Sequence, residues 1–183
     1  MKKLILLTTL LLPLLIFSQT QLGSDINGKA VNDQSGRSVS MSSDGTIVAI
    51  GAPYNDGGGS NSGHVRVYQY SGSSWSQLGS DINGEAVNDY SGNAVSLSSD
   101  GTVVAIGAYR NNGGGDDYGH VRVYSWNGTN WIQLGSDIDG ESNYEELGHS
   151  VSLSPDGTAV AIGSYIGSGN YAGHVRVYSY YNN

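Results

Sequence analysis

The sequence predicts an all-β protein built from three consecutive repeats, each forming a four-stranded antiparallel sheet. Two short segments recur at regular spacing, QLGSDI from residues 21, 77 and 133 and GHVRVY from residues 63, 119 and 173. Within each repeat apolar and polar residues alternate, and this period of two indicates strands rather than helices. The 28 glycines and 13 tyrosines also favour turns and strands. A long fixed period is typical of solenoid and propeller arrays.

The first repeat predicts its strands in order. Residues 38–42 alternate cleanly, Ser43-Asp44-Gly45 is a turn signal, and residues 46–51 follow as the second strand of a hairpin. The third strand, residues 64–68, places His, Arg and Tyr on one face and two valines on the other. The fourth is residues 75–82. Because such a sheet has apolar groups on two faces, it must stack on its neighbours. We assign the repeats to residues 21–76, 77–132 and 133–183.

The chain begins with a segment typical of a secretory signal peptide. Met1-Lys2-Lys3 is a basic start, Leu4 to Phe17 is an apolar run, and Ser18-Gln19 is a small-residue boundary. The run is short for a bilayer span. We therefore expect cleavage of residues 1–18, and residues 19–183 to form an extracellular or periplasmic domain with no membrane span.

Charge and cysteine content exclude several classes of function. The chain has 8 basic and 16 acidic residues, a formal net charge of −8. Nucleic acid is not an expected partner, because binding phosphates requires a basic surface. The absence of cysteine rules out disulfides and cysteine-ligated zinc.

The repeats resemble those of integrin alpha-chain and FG-GAP β-propellers, in a sequence that looks bacterial. The likeness lies in Val48 to Pro53, then a Gly/Asn/Asp loop, then Gly63 to Tyr68, and it recurs at residues 104–124 and 160–178. The resemblance implies that each repeat is one propeller blade.

Two departures from that family affect the expected cofactors. The Phe-Gly pair that names the family is Ser-Gly or Leu-Gly here, and the family's calcium loop is shortened to Ser-Asp-Gly. We therefore interpret Asp44, Asp100 and Asp156 as turn residues and expect no metal or cofactor, with calcium bound elsewhere in the chain as the alternative.

Three blades are fewer than a closed propeller contains, since rings typically have about 4–8. The sequence thus predicts either a partial propeller or half of a six-bladed ring formed by a homodimer. In a closed ring the spare N-terminal strand, Gln21 to Ile26, would complete the last sheet. A β-trefoil, which also has three four-stranded repeats, is the alternative.

The long connections are predicted to emerge on one face, and long loops on a rigid scaffold are the usual binding surface. We expect a non-catalytic, secreted adhesion or recognition module that binds a protein or a carbohydrate. The alternatives are a structural fragment of a larger propeller and a propeller hydrolase or lyase using His149 with Glu145 and Glu146. The candidate ligand-binding residues are Asn55, Asp56, Tyr90, Tyr109, Asn111, Asn112, Asp116, Asp117, Tyr118, Tyr165 and Tyr171.

The repeated basic residues are expected to have structural roles. A metal site formed by His64, His120 and His174 would require the three repeats to bring these side chains together. Hydrogen bonds within or between blades explain these histidines better, because buried polar groups require partners. The same interpretation applies to the arginines that follow each histidine by two residues: Arg66, Arg122 and Arg176.

Overall fold

The computed structural model describes residues 18–167 and 171–180. These residues form strands and turns without a helix, so the all-β prediction is confirmed. The predicted signal peptide falls on residues 1–17, outside the described residues. The strands are β1 (Ser38–Met41), β2 (Ile47–Ala52), β3 (His64–Tyr70), β4 (Trp75–Gln77), β5 (Ile82–Asn83), β6 (Ala94–Leu97), β7 (Val103–Ala108), β8 (His120–Trp126), β9 (Trp131–Gln133), β10 (Ile138–Asp139), β11 (Ser150–Leu153), β12 (Ala159–Ser164) and β13 (His174–Ser179).

The strands form three antiparallel sheets, one per repeat, which we call blades 1, 2 and 3. Blade 1 has the order β1-β2-β3-β4 with β5 also paired to β3, blade 2 repeats this with β6 to β10, and blade 3 is β11-β12-β13. No described strand pairs with a strand of another blade. The β-trefoil alternative, in which the repeats share one barrel, is therefore wrong.

The fourth strand differs from its prediction. It was expected to run through residues 75–82, but it is divided into β4 and β5, which pair with different parts of β3. The chain leaves the sheet at Gly79, whose φ of 70° is in the left-handed region that glycine adopts without steric cost. The same break separates β9 from β10 in blade 2, where Gly135 also has a φ of 70°.

The first hairpin of each blade is closed by the predicted aspartate. In blade 1, Asp44 Oδ1 accepts hydrogen bonds from the Ser42 hydroxyl at 2.7 Å and from the Thr46 amide at 2.9 Å. These bonds lower the pKa of Asp44, with the Thr46 amide as the largest cause. Asp100 and Asp156 make equivalent bonds in their blades, so all three carboxylates are committed to turns.

The blades stack through their first strands and their paired valines. The Leu97 amide donates to Ser40 Oγ of the preceding blade at 2.9 Å, and the Leu153 amide donates to Ser96 Oγ at 2.9 Å. Val65 and Val67 of β3 are buried in one cluster with apolar residues of blade 2. Blades 1 and 2 therefore bury their valine faces against the next blade, as the two-faced apolar pattern predicts.

The outer face of blade 3 is uncovered in the described structure, and so is the β1 side of the outer face of blade 1. On blade 3, Val175 and Val177 are 68% and 70% exposed, whereas their blade 2 counterparts are fully buried. On blade 1, Val39 and Met41 of β1 are exposed as well. The stack consequently presents exposed apolar residues at each side, on β1 of blade 1 and on β13 of blade 3.

The N-terminal segment lies against blade 1. The indole of Trp75 donates to the Leu22 carbonyl at 2.8 Å, just as the indole of Trp131 donates to the Leu78 carbonyl at 3.0 Å. The segment thus takes the place that residues 77–83 take beside blade 2, and it does not complete blade 3. Among the described residues, no helix has the length and hydropathy needed to cross a bilayer.

Candidate functional site

The long connections lie side by side on one face, as predicted. The connection between β2 and β3 is bonded to the one that follows β5, through the Gly84 amide to the Gly63 carbonyl at 2.8 Å and the Ser91 amide to the Ser62 carbonyl at 3.0 Å. Blade 2 repeats this arrangement with the Leu147 amide and the Tyr118 carbonyl at 2.9 Å. Backbone hydrogen bonds therefore make the loops of neighbouring repeats one continuous surface.

A continuous line of rings crosses this surface, and we call it the aromatic row. It consists of Tyr54, Tyr90, Tyr109, His149 and Tyr165. Successive ring centroids are 5.2, 5.8, 5.3 and 4.5 Å apart. These distances and the tilted or edge-to-face angles are those that aromatic pairs favour. Because the five residues come from loops of all three repeats, the row depends on blade stacking.

Arg110 places a positive charge over the middle of the row. Its guanidinium carbon lies 5.7 Å from the Tyr90 centroid and 5.6 Å from the Tyr109 centroid. Both distances fall within the range of cation–π attraction. Arg110 is exposed at the surface.

A buried carboxylate lies beneath one side of the row. Glu146 is 6% exposed, and its Oε2 atom has no hydrogen-bond partner among the described residues. The hydroxyl of Tyr165 donates a hydrogen bond to this carboxylate. Burial raises the pKa of Glu146, and Arg110 opposes that rise. An unpartnered buried oxygen costs stability, which is a common feature of functional sites.

His149 joins the row at the edge of blade 3. Burial, and then the charge of Arg37, lowers the pKa of His149, so its imidazole is neutral at pH 7. Beside it, Tyr165 and Val175 line a pocket of about 400 Å³. This pocket adjoins the uncovered face of blade 3. It therefore lies where a further blade would pack.

The predicted tyrosines fall into two groups. Tyr90, Tyr109 and Tyr165 are in the aromatic row. Tyr118 is not, because its ring lies so close to Gly114 and Gly115 that β-carbons there would overlap it. Tyr171 is 75% exposed and also lies outside the row.

Most of the predicted polar residues form hydrogen bonds that hold the loops in place. Asn55 is buried and its amide donates to Asp33 at 2.7 Å, and Asn111 donates to Asp89 at 3.1 Å in the same way. We therefore assign these two asparagines a structural role rather than ligand binding. The side chains of Asp56 and Asn112 accept loop amides, and the carbonyls of Asp116 and Asp117 accept amides of the following connection.

The repeated basic residues are only partly as predicted. Arg66 and Arg122 donate to the carbonyls of Asn27 and Asn83 at 3.0 and 2.8 Å. His174 is 3.0 Å from Glu145 Oε1. For His64 and His120 the prediction of a hydrogen bond is wrong, because neither ring nitrogen of either residue has a partner among the described residues.

The structure separates the residues of the hydrolase alternative. Glu145 binds Arg176 and His174 of β13, and the Arg176 hydrogen bond lowers its pKa against the effect of burial. Glu146 instead turns toward Tyr165. The two glutamates therefore do not act on one centre, and Glu145 has the role of a structural ion pair.

Two residues of the surface were not predicted from the sequence, Tyr54 and Arg110. They occupy the same position in repeats 1 and 2, so the ring in one blade is replaced by a cation in the next. Glu146 likewise replaces Tyr90 and Gln34. Departures from the repeat pattern within long loops were the signal that could have identified them.

Comparisons with known proteins agree with the resemblance to FG-GAP repeats. Residues 27–68 match the FG-GAP repeat family. This match confirms the resemblance to FG-GAP repeats and identifies a propeller-type repeat module. A comparison with curated proteins gave no match.

Two solved structures similar to this chain are large proteins. The hydrazine synthase of Kuenenia stuttgartiensis is 15% identical with a TM-score of 0.42, over 76% of this chain and 32% of that one. The tricorn protease is 10% identical with a TM-score of 0.41, over 70% of this chain and 11% of that one. The chain thus spans a third or less of the length of either protein.

Proposed function

We propose that the protein is an exported, non-catalytic module that binds neutral carbohydrate along the aromatic row. The proposal depends on the geometry of the aromatic row. Tyrosine rings offer flat apolar surface to the C–H faces of sugars, and ligand sites combine such surface with a few convergent polar groups. The polar groups here are His149 within the row and Arg110 and Glu146 next to it.

The charge balance supports a neutral ligand over an anionic one. The formal net charge is −8, so the long-range field of the protein disfavours polyanions such as sulfated glycans.

An array of immobilised neutral oligosaccharides tests this proposal. We expect the purified protein to be retained and the Tyr165→Ala variant to bind about tenfold more weakly, for a stacking contribution of about 1.4 kcal/mol. Tyr144→Ala is the matched control, since Tyr144 and Tyr165 are 54% and 52% exposed and only Tyr165 is in the row. Failure to retain any neutral oligosaccharide, or equal losses in both variants, would overturn the proposal.

We also propose that two copies of the chain assemble into a six-bladed ring. The stacking of the blades supports this assembly, because the valine face that blade 3 exposes is equivalent to the faces that blades 1 and 2 bury. Val65 and Val121 are 0% exposed where the next blade covers them, and Val175 in the same position is 68% exposed. The exposed Val39 and Met41 of a second copy match the residues that cover Val65, namely Val95 and Leu97.

Two-fold symmetry would make both contacts identical and leave no apolar face exposed. In this ring the N-terminal segment, held beside blade 1 by Trp75, would lie along β13 of the partner. Six blades lie within the usual range of about 4–8. Burial of the valines is the driving force, at about 25 cal/mol per Å² of apolar surface.

Light-scattering mass during size exclusion tests the assembly. We expect a dimer for the purified protein and a monomer for Val177→Asp, which places a charge in the proposed contact. Ile132→Asp is the control, because Ile132 is also exposed but lies on β9, away from both bare faces. A monomeric wild-type protein, or an open series of larger species, would refute the closed ring.

A further inference from the structure

We propose that blade 2 contains a binding site for one divalent transition-metal ion such as Zn²⁺, formed by Glu85, His120 and Asp137. From the sequence no metal site was expected, either at the three repeated histidines or at the hairpin aspartates. These three residues come from different parts of the chain. Their potential ligand atoms nevertheless all lie within 4.8 Å of one another.

The distances approach those of a real coordination sphere. His120 Nδ1 is 3.6 Å from Asp137 Oδ2 and 3.9 Å from Asp139 Oδ1. Ligand atoms of a tetrahedral zinc site are roughly 3.4 Å apart, given bonds of about 2.1 Å. Small rotations of exposed carboxylates would close the remaining gap, and Asp139 would be available as a fourth ligand.

The state of His120 is the second, independent observation. The side chain is 1% exposed and neither ring nitrogen has a partner among the described residues, although Nδ1 faces the carboxylates. Its Nδ1 atom therefore lies within reach of an ion that the carboxylates hold.

The carboxylates of the cluster also lack sufficient positive charge. Glu85 and Asp137 approach closely enough for a hydrogen bond between their carboxyl groups. Burial, followed by Asp137, raises the pKa of Glu85, while Arg122 at 3.3 Å opposes the rise. Arg122 contacts Glu85, while Asp137 and Asp139 place two further carboxylates beside His120.

In blade 1 the position equivalent to the proposed metal site contains a lysine. Lys29 occupies the repeat position of Glu85, and its ammonium is 3.1 Å from Asp81, the counterpart of Asp137. His64 is buried there just as His120 is in blade 2. The exchange of a lysine for a glutamate therefore removes the internal cation from blade 2 and adds a further carboxylate.

The nature of the ligands selects the metal. A set of one imidazole nitrogen and two or three carboxylates suits Zn²⁺ and neighbouring transition metals, whereas Ca²⁺ favours oxygen ligands alone. The side chains of Glu85 and Asp139 are each 47% exposed, so an ion would reach the site from solvent.

Isothermal titration of the chelator-treated protein with zinc chloride tests this inference. We expect saturable binding of one ion per chain, and loss of it in Glu85→Lys, which reproduces the blade 1 residue at an exposed position. Lys29→Glu makes the converse change and should raise the stoichiometry to two. Calcium chloride should give no saturable binding to any of the three proteins.

The outcomes are independent of carbohydrate binding, because none of these residues belongs to the aromatic row. Circular dichroism checks that each variant is folded. The inference is overturned if the wild-type protein shows no saturable zinc binding, if Glu85→Lys binds zinc as the wild type does, or if Lys29→Glu still binds one ion.

Discussion

Glycine at position 107 should be essential to the contact between blades 2 and 3. Gly107 lies on β7 directly against the turn that precedes β11. A β-carbon at this position would overlap the carbonyl oxygen of Gly148 and lie 3.0 Å from its carbonyl carbon. All of the nearest atoms are backbone, so the clash cannot be relieved by rotating a side chain. The φ angle of Gly107 is not in the left-handed region, which leaves the overlap as the reason for glycine.

We therefore predict that Gly107→Ala destabilises the protein by about 3 kcal/mol, the upper part of the range for overpacking. For a chain of this size that corresponds to a fall of roughly 6–12 °C in the melting temperature, at about 2–4 °C per kcal/mol. Differential scanning calorimetry and urea unfolding measure the two quantities. A melting temperature unchanged by the substitution would refute the described packing of blades 2 and 3.

Gly163→Ala is the matched control, since Gly163 has the same repeat position in blade 3. A β-carbon there would overlap only Ser150 Oγ, the mobile end of a side chain, and its next neighbour is 3.8 Å away. We expect little loss of stability in the monomeric Val177→Asp background. In the wild-type background Gly163→Ala should weaken the proposed dimer, because a second copy would bring its own Gly36 against this position.

Three further predictions concern hydrogen bonds and titration. Ser96→Ala leaves the Leu153 amide without its hydrogen-bond acceptor and should lower the free energy of unfolding by about 1–3 kcal/mol, as measured with urea. Ser152→Ala is the control, because Ser152 is exposed on the uncovered blade 3 and its replacement should be nearly neutral. Burial raises the pKa of Glu146, so ionisation of this carboxylate opposes folding. Glu146→Gln should therefore stabilise the protein by about 1 kcal/mol at pH 7, and by progressively less as the pH falls and Glu146 becomes protonated. Hydrogen bonds, the largest from the Ser154 hydroxyl, lower the pKa of Asp156 to about 2. The ionised carboxylate therefore stabilises the fold above pH 3.8, and this contribution is lost as the pH falls toward 2. Asp156→Asn should remove that part of the pH dependence of the unfolding free energy, as measured with urea.

The strand order was predictable because it depends on local patterns. Alternation in residues 38–42 and the Ser-Asp-Gly turn specify a hairpin without reference to the rest of the molecule. The valines of β3 were correctly predicted to face one side, since side chains of a strand alternate. The break in the fourth strand was missed because Gly79 lies within an otherwise strand-like segment, and only the positive φ of the folded chain reveals its effect.

The candidate site was predictable at the level of loops but not of side-chain contacts. Tyrosines in long connections indicated a surface, and three of the predicted ones, Tyr90, Tyr109 and Tyr165, belong to the aromatic row. The roles of Asn55 and Asn111 depend on Asp33 and Asp89, which are 22 residues away in sequence and meet them only after folding. Local composition carries no information about such pairing.

Chemical-shift mapping of the aromatic ring protons would test the central proposal most directly. The protein would be titrated with the neutral oligosaccharide that the array retains most strongly. Ring resonances of Tyr54, Tyr109 and Tyr165 should shift together with one saturation curve, while those of Tyr68, buried between blade 1 and the N-terminal segment, should stay in place. Shifts confined to residues outside the aromatic row would contradict its assignment as the binding surface.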